Sequence, residues 1–235
     1  MGWCFSFHQK GGDGLIDQLF IGNVGSCDEF GASVAERTII KPKKKSIKET
    51  VPFSNVTHDF SAINGEIYWE EGTLEYVFEI IADSAEELEE KKRPFCAWIM
   101  NVMQAELYDP YIHGYHFIAT YDDMDVDDSE VEKATITVKF TAYPYMISDV
   151  KRVYAYKITE TETNIKINSN SSHRITPTFK TDVECVITKG NSSYGVPVGE
   201  ITDDKFLLVP GENIMTAKAT SGSGTLKIEF HEEVF

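Results

Sequence analysis

The sequence predicts a mainly β protein in two parts, an α+β N-terminal domain with one main helix over residues 1–147 and a β-sandwich over residues 148–235. Three observations lead there. Between Leu74 and Phe140 three runs alternate apolar with polar residues, and a stretch of helical spacing lies between the first two. Beyond residue 150, short apolar runs recur between turn signals with no helix among them. The charge divides at the same place. Residues 1–150 hold 12 Lys/Arg against 27 Asp/Glu, a balance of −15, whereas residues 151–235 hold 10 against 11, a balance of −1. A shift of that size argues for two domains with different neighbours.

Taken in order, residues 1–50 carry Gly11, Gly12, Gly14, Gly22, Gly25 and Gly31 between short apolar pieces, implying turns or an arm. Leu74, Tyr76, Phe78 and Ile80 then alternate with Glu75, Val77 and Glu79, the pattern of a half-buried strand. Two more strands follow from Tyr115, Phe117, Ala119 and Tyr121, and from Ala134, Ile136, Val138 and Phe140. Between the first two strands, Ser84 with Glu87 forms a capping box, and Glu86, Glu87, Glu89 and Glu90 suit the positive end of a helix. Pro94 is expected to kink or restart this helix. Phe95, Trp98, Ile99, Val102 and Met103 recur at helical spacing and should lie on the sheet, with Trp98 as a core residue.

The link from Tyr121 to Glu132 reads as an acidic, solvent-facing hairpin tip. Asp123, Asp125 and Asp127 copy the first ligand spacing of a calcium-binding EF-hand loop, but Asp128 stands where the glycine of its sharp turn belongs and Ala134 where its bidentate Glu belongs. The third strand ends at Tyr143-Pro144-Tyr145. Proline cannot donate to a ladder, so this triplet reads as the hinge between the domains. Strands are then expected at 163–168, 175–179, 183–188, 205–209, 214–219 and 225–230, many of them joined through Asn168-Ser169-Asn170, Pro210-Gly211-Glu212-Asn213 and Ser221-Gly222-Ser223-Gly224.

Composition narrows the function. With 42% hydrophobic residues the chain can bury a core, and its longest apolar runs, such as Phe95 to Met100, fall far short of the roughly 20 residues of a membrane span. A soluble protein without membrane insertion is expected. The start, MGWCFSFHQK, lacks the regions of a signal peptide. Its match to the myristoylation pattern at Met1, Gly2 and Ser6 includes bulky Trp3 and reads as chance. Sequons at Asn55, Asn170 and Asn191 have no meaning without secretion. Cys4, Cys27, Cys96 and Cys185 lie far apart and are expected to be reduced. His113 and His116, on a strand-like stretch, should face opposite ways, which argues against a metal site.

No G-x-S-x-G, H-E-x-x-H, phosphate-binding loop or paired Cys/His arrangement occurs. Any two of the 38 carboxylates at about 5–10 Å would imitate a glycosidase pair, so such a pair carries no information. The expectation is a protein that is not an enzyme, with no catalytic, cofactor-binding or metal-binding residues and no cofactor. The acidic first part should repel phosphate, and the basic run Lys41-Pro42-Lys43-Lys44-Lys45 reads as a solvated loop.

The order of features resembles the distal tail proteins of long-tailed bacterial viruses. The residues that carry it are Phe5-Ser6-Phe7, Val51-Pro52-Phe53-Ser54-Asn55, His58-Asp59-Phe60-Ser61, Tyr68-Trp69, Leu74 to Ile80, Trp98 followed by Leu107 and Asp109, a Tyr/Phe strand, and Pro144-Tyr145. In the second part they are Ile175-Thr176-Pro177, Leu208-Val209-Pro210-Gly211-Glu212-Asn213 and Gly224-Thr225-Leu226-Lys227-Ile228, which are similar to that family's galectin-like sandwich. The resemblance covers residues 50–235 well and residues 1–50 poorly.

It implies a virion structural protein, a homohexameric ring at the tail tip, singly or in paired rings. Such a ring joins the tail tube protein to the baseplate, its hub protein and the receptor-binding protein of host adsorption. DNA would pass only in transit through its channel, and an acidic inner domain suits a lumen through which a polyanion slides. The acidic groups between Asp122 and Glu132 are expected to face that lumen or a ring contact. A carbohydrate-binding module is the rival reading, with Tyr194 beside Asn191, Ser192 and Ser193, and His173 with Arg174, as candidates for sugar contact, although Tyr194 reads rather as a loop anchor. Another ring-forming subunit, such as a tail-tube protein, is the third; it would stack ring on ring.

Overall fold

The computed structural model describes residues 17–50, 53, 55, 57–61 and 67–235. Phe5-Ser6-Phe7, Cys4, the start of the chain, and Val51, Pro52 and Ser54 lie outside them. The fold is mainly β. One compact unit ends at Pro144 and a second runs from Tyr145 to Phe235.

In chain order the first unit contains β1 (Phe20–Ile21), β2 (Val24–Gly25), α1 (Ser26–Phe30), β3 (Ala32–Ile40), β4 (Lys48–Thr50), β5 (Thr57–Asp59), β6 (Gly72–Ile81), α2 (Ala85–Met100), β7 (Ala105–Tyr108), β8 (Tyr115–Asp127) and β9 (Lys133–Ala142). An antiparallel sheet takes the order β2-β1-β7-β8-β9-β6-β3. Its centre is the β6–β9 pair, in register from Gly72 opposite Ala142 to Ile81 opposite Lys133. Period-2 alternation places Leu74, Tyr76, Phe78 and Ile80 on one face, level with Phe140, Val138, Ile136 and Ala134, and all eight are buried. Against that face packs α2 through Phe95, whose ring meets Phe78 edge-on at 5.0 Å and also touches Phe30 of α1 and Trp98. Trp98 is thus a packing residue.

The helix begins as its sequence predicts. Ser84 Oγ accepts from the Glu87 N–H, while the Glu87 carboxylate reaches back to the N–H of Asp83. Two expectations fail further along. Pro94 does not restart the helix, which runs on through it from Ala85 to Met100; it sits on the exposed side, where the chain can do without one interior N–H bond. The helix also stops at Met100, with the Asn101 side-chain amide donating to Ala97 O at 2.7 Å, so Val102 is buried beyond the helix and Met103 is exposed.

The second unit contains β10 (Met146–Ser148), β11 (Arg152–Thr159), β12 (Thr163–Ser169), β13 (Thr178–Thr181), β14 (Cys185–Lys189), β15 (Ser192–Val196), β16 (Gly199–Thr202), β17 (Gly211–Ala219), β18 (Ser223–Phe230) and β19 (Glu233–Val234). Two four-stranded antiparallel sheets, β11-β18-β13-β16 and β12-β17-β14-β15, enclose one core. Phe179, Leu226 and Ile228 enter it from one sheet and Ile165, Ile167, Ile187 and Met215 from the other, which makes a β-sandwich. The expected strand at 205–209 is absent. Phe206 and Leu208 are buried, but only Leu208 bridges to a neighbour, Ile175. Strands β11, β15 and β16 were not expected; their exposed polar positions mask the alternation.

Gly224 is required by a close approach. A Cβ there would fall 2.1 Å from Asp182 Oδ1 and 2.5 Å from Val183 Cγ1. Asp182 in turn accepts from the Thr225 N–H. Cys96 and Cys185 are free, with burial raising both thiol pKa values, whereas Cys27 is disulfide-bonded, against the expectation for it.

Candidate functional site

The polar face of the first-unit sheet presents Glu75, Glu79, Lys133, Thr135, Thr137 and Lys139 from its two central strands. Lys133 bonds Glu79 at 2.9 Å and Lys139 lies 3.6 Å from Glu75. These cross-strand pairs use up the bases of the centre. The acids continue outward without them, because β8 carries Asp122, Asp123, Asp125 and Asp127, all exposed. Strand β8 runs on to Asp127, so these aspartates belong to a strand and the hairpin tip is confined to residues 128–132. The pairing of Asp123 with Lys139, Asp125 with Thr137 and Asp127 with Thr135 explains why: β9 is long enough to hold β8 in register regardless of its charge. In that extended geometry Asp123, Asp125 and Asp127 share one face instead of converging as the ligands of a loop would. Among the described residues no group of three or more His, Cys, Asp or Glu side chains is arranged to hold a metal ion.

The tip is tied to the helix. Lys92 bonds Asp128 at 2.7 Å and also pairs with Glu89, and these partners raise the lysine pKa. Lys92 in return holds the Asp128 carboxyl below its ordinary range. A second node lies inside the unit. Asp109, whose side chain is fully buried, accepts from Arg37 Nε at 3.1–3.2 Å and from the Tyr111 N–H at 3.0 Å, and the Arg37 guanidinium lies 4.2 Å over the Tyr111 ring. Burial, with this carboxylate beside it, pushes the Tyr76 hydroxyl pKa well above its ordinary value.

Between β3 and β6 the chain leaves the sheet as a two-stranded ribbon. Lys44 bridges Trp69, the Lys45 N–H donates to Tyr68 O, and further out β4 pairs β5 with Lys48 opposite Asp59. The lysine run read as a solvated loop is one edge of this ribbon. Neither charge nor exposure could have distinguished the two from sequence, since the pairing is made by residues 23 to 27 positions away, Lys45 with Tyr68 and Lys43 with Glu70.

Of the sugar-contact candidates, Tyr194 and His173 are engaged in packing, whereas Arg174, Asn191, Ser192 and Ser193 are exposed. Tyr194 lies on β15 with its ring edge-on to Phe206 at 4.9 Å, as a core anchor. Ser193 faces the Thr188 hydroxyl and Ser192 pairs with Lys189 in the ladder. His173 stacks on Tyr145 at 3.8 Å with Nε2 3.1 Å from Glu233. A groove of about 450 Å³ on the sandwich is lined by Lys180, Asp182, Glu200, Thr225 and Lys227 among others, with no aromatic on which a sugar ring could stack. Lys180 already bridges Glu200 and Glu229 there. His113 lies in the exposed turn before β8, not on the strand, while His116 is buried against Tyr108. No described helix is long and apolar enough to cross a membrane.

No protein-family model matches the chain, and no curated protein is significantly similar to it. Solved structures are. One is a crystal structure of the SPP1 Dit protein, described as a paradigm of the hub adsorption apparatus in phages infecting Gram-positive bacteria. It is similar over 93% of this chain and 99% of its own, with a TM-score of 0.67 and 13% identity. Chains of the phage P2 baseplate in its activated conformation, with calcium and with strontium, align over 90% and 91% of this chain and 97% of theirs, at a TM-score of 0.41 and 10% identity, too distant to argue from. The fold of this chain is therefore that of the SPP1 Dit protein through both units.

Proposed function

We propose that the chain is a structural component of a bacteriophage or prophage tail tip, a distal tail protein whose homohexameric ring joins the tail tube to the baseplate and host-adsorption apparatus. The observation that carries this reading is the likeness to SPP1 Dit across both units, with almost no residue of that chain left unmatched. A sandwich alone or a ring-forming sheet alone would be compatible with many functions; the two joined in this order are far more restrictive. The charge supports it, because an acidic first part lining a channel would let DNA pass without holding it. The second domain projects outward in this reading, and its partners are the tail tube, the tip hub and the receptor-binding protein. Catalysis has no part in it.

Gold-labelled antibody against the second unit, applied to tailed particles produced by cells that encode the chain, tests the reading. Label confined to the tail tip is expected. Label along the whole tube would favour a tube subunit, and absence from purified particles would overturn a virion role.

A further inference from the structure

The ribbon carries two features that its own fold leaves unused. Lys41, Lys43, Lys44, Lys45 and Lys48 are all exposed and none forms an ion pair within 4.0 Å among the described residues, Lys44 and Lys48 acting only at longer range on the Asp59 carboxyl, although the chain as a whole has a net charge of −16. Beside them Ile39, Ile40, Ile47, Phe60, Ile67 and Tyr68 stand open to solvent, from 38% to 50% exposed. A solvated ribbon needs its lysines but gains nothing from such a row of large apolar side chains; a ribbon that lies on another surface needs both. The same unit presents a surface of the opposite character. Residues 122–132 hold seven acidic residues and no basic one, and Asp123, Asp125 and Asp127 share the polar face of β8, with Met124 and Val126 turned to the other face. Strand β7 ends opposite Ala119, so the acidic half of β8 extends beyond it.

We propose that the ribbon of one copy lies on the acidic half of β8 in the next copy, lysines against Asp122, Asp123, Asp125 and Asp127. The inference rests on the ring reading above and assigns the contact that closes it. Two different patches of one chain meet, so the interface is head-to-tail and can generate a ring. Like charges also oppose the wrong pairings, ribbon on ribbon and β8 on β8. A membrane or a free polyanion would offer the lysines equal charge; the acidic strand of a second copy offers it at fixed spacing, with Asp123, Asp125 and Asp127 on one face.

The test is a charge swap in the full-length chain, read as mass by light scattering over a range of concentrations. Lys43→Glu with Lys45→Glu makes the ribbon acidic; Asp122→Lys with Asp125→Lys makes β8 basic. Each variant alone then opposes like charges, and both are expected to remain monomeric where the wild type assembles. Mixed one to one, each variant's ribbon meets a complementary β8 on the other, so an even-numbered ring of alternating subunits should return. That recovery also shows that both variants fold. Raising salt should weaken wild-type assembly by about tenfold or more, since the Debye length shrinks from about 10 Å at 0.1 M to 3 Å at 1 M. Assembly of either variant at wild-type concentrations would overturn the contact while leaving the ring intact. A wild type that stays monomeric and instead binds anionic vesicles or polyphosphate would overturn it in favour of a polyanion. Neither result touches the tail-tip reading, which the antibody label decides separately.

Discussion

Removing the Asp109 carboxylate tests the account of the first unit's interior most directly. The Asp109→Ala change deletes the acceptor of the Arg37 Nε bond and of the Tyr111 N–H bond, and leaves a guanidinium only 15% exposed without its ionic partner. Breaking a buried pair in this way costs about 3–5 kcal/mol. The lower end applies, because Arg37 keeps Asp17 at 4.0 Å and the face of Tyr111 at 4.2 Å. With a urea dependence of about 2 kcal/mol per molar for a unit of this size, a loss of about 3 kcal/mol lowers the unfolding midpoint by about 1.5 M. The assay reports on this unit alone: tryptophan occurs only at positions 3, 69 and 98, all before Pro144, so fluorescence in urea follows the first unit within the whole chain. A companion, Arg37→Met with Asp109→Leu, exchanges the pair for apolar groups and should recover at least half the loss. A shift below about 0.5 M, or about 1 kcal/mol, is what an exposed pair gives and would refute the reading of this node as a buried anchor.

Other expectations follow from local geometry. Because Lys92 holds the Asp128 carboxyl below its ordinary range, the folded state releases that proton more readily than the unfolded chain. The contribution is full above the unfolded pKa of about 3.9 and is lost as pH falls through the lower folded value, so Asp128→Asn should flatten the acid limb of a plot of urea midpoint against pH. Gly224→Ala drives a methyl group into Asp182 and Val183 and should destabilise the sandwich by about 1–3 kcal/mol, read as faster amide exchange in β13 and β18. Glu232 is buried and accepts from the Ser169 and Ser171 hydroxyls and the Asn170 N–H. Its replacement by alanine strands those donors and should cost the second unit about 2–4 kcal/mol by the same exchange measurement, with β19 the first strand to lose protection.

Some of this structure is written in single stretches of chain. The alternation from Leu74 to Ile80 and from Ala134 to Phe140, and the Ser84–Glu87 cap, survive unchanged in β6, β9 and the start of α2, because each depends on a period or a contact spanning at most four residues. Such local rules fixed the mainly β class, the single long helix and the core faces of the central strands. What depended on distant partners was not legible. β8 persists through its aspartates because β9 lies alongside, and Tyr194 turns inward because Phe206, twelve positions on, offers its ring. The lysine run becomes a ribbon edge because Tyr68 and Glu70 return to meet it. The sequence alone determined which faces of the central strands avoid water, since that alternation lies within each strand. Only the tertiary structure decided which acids stand together on a strand and which lysines line a ribbon, because those neighbours are set by pairings that close over tens of residues.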